Sequence, residues 1–239
     1  MQFMLAVATA AALAGGGLMA IDAAQTAPPL VRVDDLQQAQ LHPTRMIVAL
    51  DLSKSNPLID DEAFAQKVAA RIADEVAALG FASEVHVRTF GSYDADTNNF
   101  HYDAVLSVRN RPEHVAAEIQ RLIAGTPMLV RSGRWRAQGS TNILAFLDNV
   151  SQAFTCQGMP TIVVLASDGI EDSEYARLER EGSHLPATEG RPFAGCAELQ
   201  ILGLGEGTGS PSETVRLRAE WAGWARRAGF ARFQGLNDW

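Results

Sequence analysis

The chain has 239 residues, of which 47% are hydrophobic and 20% are charged. This balance is ordinary for a folded globular protein and argues against an intrinsically disordered chain. The formal net charge of −8 gives no electrostatic reason to expect nucleic acid or an anionic membrane surface as a partner.

The N-terminal part of the chain carries the features of an export segment. Residues 3–21 are apolar, rich in Ala and Gly, and free of charge. This run predicts a signal peptide or an N-terminal membrane anchor over residues 1–24, with a buried N-terminal helix as the alternative. Residues 25–44 are polar, contain three prolines and are predicted to form a linker. We therefore expect the rest of the chain to be periplasmic or secreted, or anchored in the inner membrane by its N-terminus.

A short apolar run at residues 46–50 is typical of a strand buried on both faces. Asp51, Ser53 and Ser55 follow this run at alternating positions, so one carboxylate and two hydroxyls can point towards one centre. These hard oxygen donors suit Mg²⁺, Mn²⁺ or Ca²⁺ rather than zinc. The chain also has only two cysteines and no CxxC pair. We expect this loop to begin a metal site that later parts of the chain complete.

Helices and strands alternate through the rest of the chain. The predicted helices span residues 60–80, 112–124, 142–154, 173–181 and 210–228. The predicted strands span residues 46–50, 83–90, 100–108, 161–166, 199–204 and 231–234. A turn at residues 94–99 joins two of these strands into an antiparallel hairpin. Residues 125–140 are predicted to form a basic loop, and Ser210 and Glu213 to form a capping box.

This alternation predicts an α/β fold with a doubly wound, mostly parallel central sheet, helices on both faces and one antiparallel edge hairpin. Ligand sites in such sheets lie beyond the carboxyl ends of the strands, where the strand order reverses. Asp51, Thr141 and Asp168 all fall on predicted loops at that end of the sheet. Topology alone therefore predicts that these residues converge.

Three short fragments at these loops form a recognisable set. They read DLSKS at residues 51–55, GSTN at residues 139–142 and ASDG at residues 166–169. In this order, each beside the expected strand or helix, they resemble a von Willebrand factor type A (vWA) domain with a metal-ion-dependent adhesion site. The resemblance covers residues 45–239.

The resemblance implies a metal site and a role for each of its members. Ser53 and Ser55 would bind Mg²⁺, or Mn²⁺ or Ca²⁺, through their hydroxyls, and Thr141 would bind directly or through water. Asp51 and Asp168 would act mostly through metal-bound waters. Because this donor set is largely neutral, the ion keeps one position for an incoming carboxylate. The expected function is a non-enzymatic, adhesion-type module of the cell envelope that binds an exposed Asp or Glu of a partner protein.

Two other functions stay open on the sequence. One is a metal-dependent phosphohydrolase with Asp51 as the nucleophile. Against it, Ser53 stands where haloacid dehalogenase-like phosphatases have a second carboxylate. The other is a structural vWA domain with no ligand-binding role.

The two cysteines each precede a predicted parallel strand. Cys156 lies before the strand at residues 161–166, and Cys196 lies before the strand at residues 199–204. Both then fall at the end of the sheet opposite the metal loops, where an intrachain disulfide Cys156–Cys196 is expected in an oxidising compartment. Two free buried thiols are the alternative.

Two further pairs of residues have simpler interpretations. Glu171 and Asp172 are expected to be solvated acids at the start of a helix, with a second ion site as the alternative. Trp221 and Trp224 are expected to pack in or near the core.

Overall fold

The computed structural model describes residues 42–92, 100–180 and 182–239. The predicted signal or anchor at residues 1–24, the predicted linker up to residue 41 and the predicted turn at residues 94–99 lie outside these ranges. Among the described helices, none combines the length and the apolar character needed to cross a bilayer.

Within these ranges, six strands form one sheet. They are β1 (Arg45–Asp51), β2 (Glu84–Phe90), β3 (His101–Val105), β4 (Thr161–Ala166), β5 (Glu198–Leu202) and β6 (Arg232–Leu236). The α-helices are α1 (Glu62–Ala77), α2 (Pro112–Ala124), α3 (Thr126–Arg131), α4 (Ile143–Ala153) and α5 (Pro211–Ala228). A single 3₁₀ turn, Pro57–Ile59, lies between β1 and α1.

The strand order is β3-β2-β1-β4-β5-β6. Neighbouring strands are parallel except for the β2–β3 pair, which is antiparallel and lies at one edge. The predicted fold class is therefore confirmed. The order reverses between β1 and β4, so the crevice beyond the carboxyl ends of these two strands is the expected ligand position.

The sheet is buried on both faces because β1 directs alternate apolar side chains into two separate cores. Ile47 and Ala49 pack in the core that α4 and α5 cover, whereas Val48 and Leu50 pack in the core that α1 and α2 cover. All four side chains are inaccessible to solvent. This explains the unbroken apolar run that precedes Asp51.

Local sequence determines where helix α1 begins and which of its faces is buried. The Asp61 side chain accepts hydrogen bonds from the backbone N–H groups of Ala63 and Phe64, at 2.8 and 3.0 Å, and so caps the helix. Buried residues then recur every three or four positions, as in Phe64, Val68 and Ile72.

Three local predictions are wrong. The helix predicted at residues 173–181 is not formed over its described part, residues 173–180, because the backbone N–H of Ser173 bonds to the carbonyl of Ala176 and closes a tight turn instead. The loop predicted at residues 125–140 contains the short helix α3, with a proline in its first turn. The Ser210 hydroxyl contacts the hydroxyl of Ser212 at 2.5 Å and makes no capping bond, so the capping box is not formed.

The expected disulfide is present. Cys156 and Cys196 are bonded, with their Cα atoms 4.9 Å apart. The bond joins the segment before β4 to the segment before β5, at the sheet end opposite Asp51.

Removing this disulfide should lower the free energy of unfolding without touching the site at the other end of the sheet. The bond links residues 40 positions apart, and a cross-link of this kind typically contributes about 2–4 kcal/mol. We expect a C156A/C196A double variant to lose a stability of that order in urea denaturation. Reduced wild-type protein is the matched control and should unfold at nearly the same urea concentration. A double variant as stable as oxidised wild type would contradict the prediction.

Candidate metal centre

Two carboxylates lie at the point where the strand order reverses. Asp51 ends β1 and Asp168 follows β4, and both are fully buried. One oxygen of Asp51 accepts a hydrogen bond from the backbone N–H of Ser53 at 2.8 Å, and the other accepts from the Ser167 hydroxyl at 2.7 Å. Oδ1 of Asp168 accepts from the backbone N–H of Ile170 at 2.9 Å. Oδ2 of Asp168 is buried and has no hydrogen-bond partner among the described residues.

The surroundings of both carboxylates disfavour their charged forms. Burial, helped by the charge of Asp168, raises the pKa of Asp51 to about 7, against the hydrogen bonds from Ser167 and Ser53. Burial also raises the pKa of Asp168 to about 6, against hydrogen bonds from Ile170 and the Ser55 hydroxyl. Within the described ranges, neither carboxylate forms an ion pair with a lysine or arginine. The pair, once ionised, therefore forms a negative centre without a cation from these parts of the chain.

Three hydroxyl residues lie beside this negative centre. The hydroxyl oxygens of Ser53 and Ser55 are 3.3 Å apart. Ser53, Ser55 and Thr141 line one cavity of about 180 Å³. Ser53 and Thr141 are each 2% exposed, whereas Ser55 is exposed. The structure thus brings together the three predicted hydroxyl residues, next to the two predicted carboxylates.

The loop that carries Thr141 is bonded to the ends of β1 and β2. The backbone N–H of Gln138 donates to the carbonyl of Leu52, and the carbonyl of Gln138 accepts from the N–H of Lys54, both at 2.9 Å. The Gln138 side chain also accepts from the Ser92 hydroxyl at 2.7 Å. It passes so close to Gly91 that a Cβ atom there would lie 2.5 Å from its amide oxygen. These bonds of Gln138 therefore fix the position of the loop relative to the ends of β1 and β2.

Asn56 joins the two strands that carry the carboxylates. Its side-chain NH₂ donates to the backbone carbonyls of Asp51 and Ala166, at 2.8 and 3.0 Å, from a fully buried position. Sequence reasoning missed this residue. The one signal was an Asn directly before a Pro, which indicates a turn and not a buried bridge.

Glu171 acts on the helix behind Thr141. It is fully buried, and its Oε2 accepts from the backbone N–H groups of Ile143 and Leu144 at 2.8 and 3.1 Å, which caps the start of α4. The prediction of a solvated acid was wrong for Glu171. Burial raises the pKa of this carboxyl to about 7, against the hydrogen bonds that it accepts. Asp172 is partly exposed and pairs with Arg177 at 3.7 Å.

The predicted core position of the two tryptophans is confirmed, with Trp221 fully buried and Trp224 6% exposed. The indole N–H of Trp221 also donates to the carbonyl of Gly169 at 2.7 Å. Gly169 has a φ of +74°, and a Cβ atom there would lie 2.4 Å from a methyl group of Leu204. Only glycine fits this turn, which directs the chain away from Asp168.

The donor set fits a hard divalent cation. The described residues contain no group of three or more His, Cys, Asp and Glu side chains that could hold a metal. A cation bound at the predicted residues would be held by two carboxylates and three hydroxyls, a set that suits Mg²⁺ or Mn²⁺ and not zinc. The unpartnered oxygen of Asp168 would gain a partner in a metal-bound water.

No family model matches this chain, and no curated protein is detectably similar to it.

The stability of the metal-free protein should fall as the pH rises. The pKa values of Asp51 and Asp168 lie above the unfolded value of 3.8. The folded state therefore binds protons more tightly, and the stability present below pH 4 is lost as the pH rises towards 7. In EDTA, Asp168→Asn should be more stable than wild type at pH 8, on the order of 2 kcal/mol, because one pKa unit is worth about 1.4 kcal/mol.

Urea denaturation at pH 5 and pH 8 checks this prediction. The difference in stability between the two pH values should be smaller in Asp168→Asn than in wild type. Asp148→Asn, on the exposed side of α4, is the matched control and should behave as wild type. A loss of stability in Asp168→Asn at pH 8 in EDTA would refute the electrostatic account.

Proposed function

We propose that this domain is a vWA-type module that binds a divalent cation and uses it to hold an acidic side chain of a protein partner. The cation would be Mg²⁺ or a similar ion, held at Asp51, Ser53, Ser55, Thr141 and Asp168. The observation that carries the proposal is the single cavity lined by Ser53, Ser55 and Thr141 beside two buried carboxylates that lack an ion-pair partner in the described chain.

The chemistry of the donors supports this role. Ser53, Ser55 and Thr141 would offer neutral hydroxyl oxygens. The more deeply buried Asp51 and Asp168 would balance the charge of the cation. The bound ion would supply a positive centre that accepts a further oxygen ligand. A carboxylate from a partner suits that position better than a neutral group, because it adds a charge-assisted contact.

Lys54 supports an acidic partner over a neutral one. It is exposed and lines the same cavity, so its positive charge would be available beside a bound ion. The net charge of the chain is −8, which repels acidic proteins in general. A local positive patch made of Lys54 and the ion would select a carboxylate at this one point.

The environment of Asp51 favours a non-catalytic role. A nucleophilic carboxylate needs a free oxygen within reach of its substrate. Asp51 is fully buried, and both of its oxygens accept hydrogen bonds. A purely structural domain is disfavoured as well, because an unpartnered carboxylate oxygen such as Oδ2 of Asp168 lowers stability without a compensating contact.

We further propose that the domain works outside the cytoplasm. The Cys156–Cys196 disulfide supports this location, because such bonds persist in oxidising compartments. The apolar run at residues 3–21 has the composition of an export segment.

Calorimetric titration of the purified protein with Mg²⁺ and Mn²⁺ tests the metal site. We expect one site in wild type and a Kd raised about tenfold or more in Ser55→Ala and in Thr141→Ala, since each loses an oxygen donor. Ser55 is exposed, so its substitution leaves the core intact. Ser132→Ala, which removes an exposed hydroxyl that bonds to the carbonyl of Leu129, is the matched control and should bind as wild type.

Two results would overturn the proposal. Wild-type protein that binds neither ion would remove its basis. Turnover of a panel of phosphoesters that disappears in Asp51→Ala would replace it with the phosphohydrolase function.

A further inference from the structure

The wall of the cavity contains two carboxylates that the predicted metal set does not include, Asp172 and Glu179. Glu179 lines the cavity together with Ser53, Ser55 and Thr141. It is exposed, and within the described residues its carboxylate makes no hydrogen bond or ion pair. Asp172 also lines the cavity, but its carboxylate is paired with Arg177 at 3.7 Å. Glu179 is therefore the carboxylate in this wall that is available to a ligand.

The backbone holds Glu179 at the cavity. After Glu171 the chain makes a tight turn and returns, so that the N–H of Leu178 donates to the carbonyl of Glu171 at 2.8 Å. The Leu178 side chain is fully buried, and its carbonyl accepts from the Arg216 guanidinium at 2.5 Å. Glu179 follows directly. Its position is thus set by contacts of its neighbour in the core and not by a free loop.

The same turn is bonded to the loop that carries a predicted metal ligand. Asp172 and Thr141 exchange two backbone hydrogen bonds, at 2.9 and 3.3 Å. Glu179 and Thr141 therefore lie on two segments that are joined to each other. The negative charge of Glu179 also reaches Asp168, whose pKa it helps to raise. An independent observation points to a cation beside this cavity. Ile170 lines the cavity and donates its backbone N–H to Asp168, whose Oδ2 is buried without a partner among the described residues.

We propose that Glu179 is a ligand of the cation that the chain itself supplies on the open side of the cavity, and that a partner's carboxylate must displace it. This inference rests on the proposed metal-binding function. Asp51 and Asp168, when both are ionised, already balance the charge of a divalent cation, so the added charge of Glu179 would leave the site net negative and less attractive to a further carboxylate. Glu179 thus raises the affinity of the site for the ion and lowers its affinity for an acidic partner.

The two effects have opposite signs, which makes the proposal testable. Glu179→Gln should raise the Kd for Mg²⁺ about five- to tenfold, a typical size for coupling between ligands. The same variant, saturated with Mg²⁺, should bind acetate about five- to tenfold more tightly than wild type. Both constants are measured by calorimetry on the purified chain. Water-proton relaxation with Mn²⁺ should show more water on the ion in Glu179→Gln, because water takes the place of the carboxylate.

Two further variants separate ligation from a general field effect. Glu206→Gln removes the same charge from the same rim of the sheet, but this residue lines a separate cavity with Gly205 and Arg218. It should leave both constants unchanged. Glu179→Asp keeps the charge but shortens the reach, so it should behave as Glu179→Gln. Equal effects of Glu206→Gln and Glu179→Gln, or wild-type values in Glu179→Asp, would overturn the proposal in favour of simple electrostatics.

The failure of this inference is distinguishable from the failure of the proposed function. If wild type binds Mg²⁺ and Glu179→Gln is identical to it in both constants, the role of Glu179 is refuted and the metal site stands. If wild type binds neither Mg²⁺ nor Mn²⁺, both proposals fall together.

Discussion

The burial of two carboxylates at the ends of adjacent strands is the constraint on which the rest of this structure depends. Asp51 and Asp168 are removed from solvent at the point where the strand order reverses. Each repels the other, and the described chain supplies no basic side chain that pairs with either of them. Such an arrangement is unfavourable for folding taken alone. A positive ion from solution, bound between the two carboxylates, would offset this unfavourable energy, as in the proposed metal site.

Buried hydrogen bonds from surrounding residues hold the loops of this site in fixed positions. Asn56 ties the end of β1 to the end of β4, Gln138 ties the Thr141 loop to β1, and Trp221 holds the turn after Asp168. Each of these bonds uses a donor or acceptor that is buried among packed side chains. Hydroxyl groups that bind a metal ion need this support, because a displacement of about an ångström is enough to break the contact with the ion.

Much of the fold and the core of the candidate site could be predicted from the sequence, because they depend on periodic burial and on topology. The apolar runs predicted β1 and β4, and the carboxyl ends of parallel strands brought Asp51 and Asp168 to one edge. The helix predicted at residues 173–181 is wrong because the chain closes a tight turn between Ser173 and Ala176 instead. The solvated position predicted for Glu171 is wrong because its carboxylate caps α4 some 28 positions away in the sequence. No local sequence pattern predicts such a contact, and none predicts the hydrogen bonds by which Asn56 joins β1 to β4.

The number of carboxylates around a divalent ion decides what such a site can do. Two carboxylates with neutral hydroxyls balance the ion but leave its open position attractive to an anion, which suits recognition of an acidic side chain. A third carboxylate in that position would raise the affinity of the site for the ion and lower the affinity of the bound ion for another anion. In this chain the proposed third carboxylate, Glu179, lies on a segment whose backbone is bonded to the Thr141 loop. Because the buried Leu178 anchors this segment in the core, the backbone around Glu179 and Thr141 would stay in place when a partner binds. A partner's carboxylate would then have to displace only the side chain of Glu179, with no movement of the sheet or of the helices that bury it.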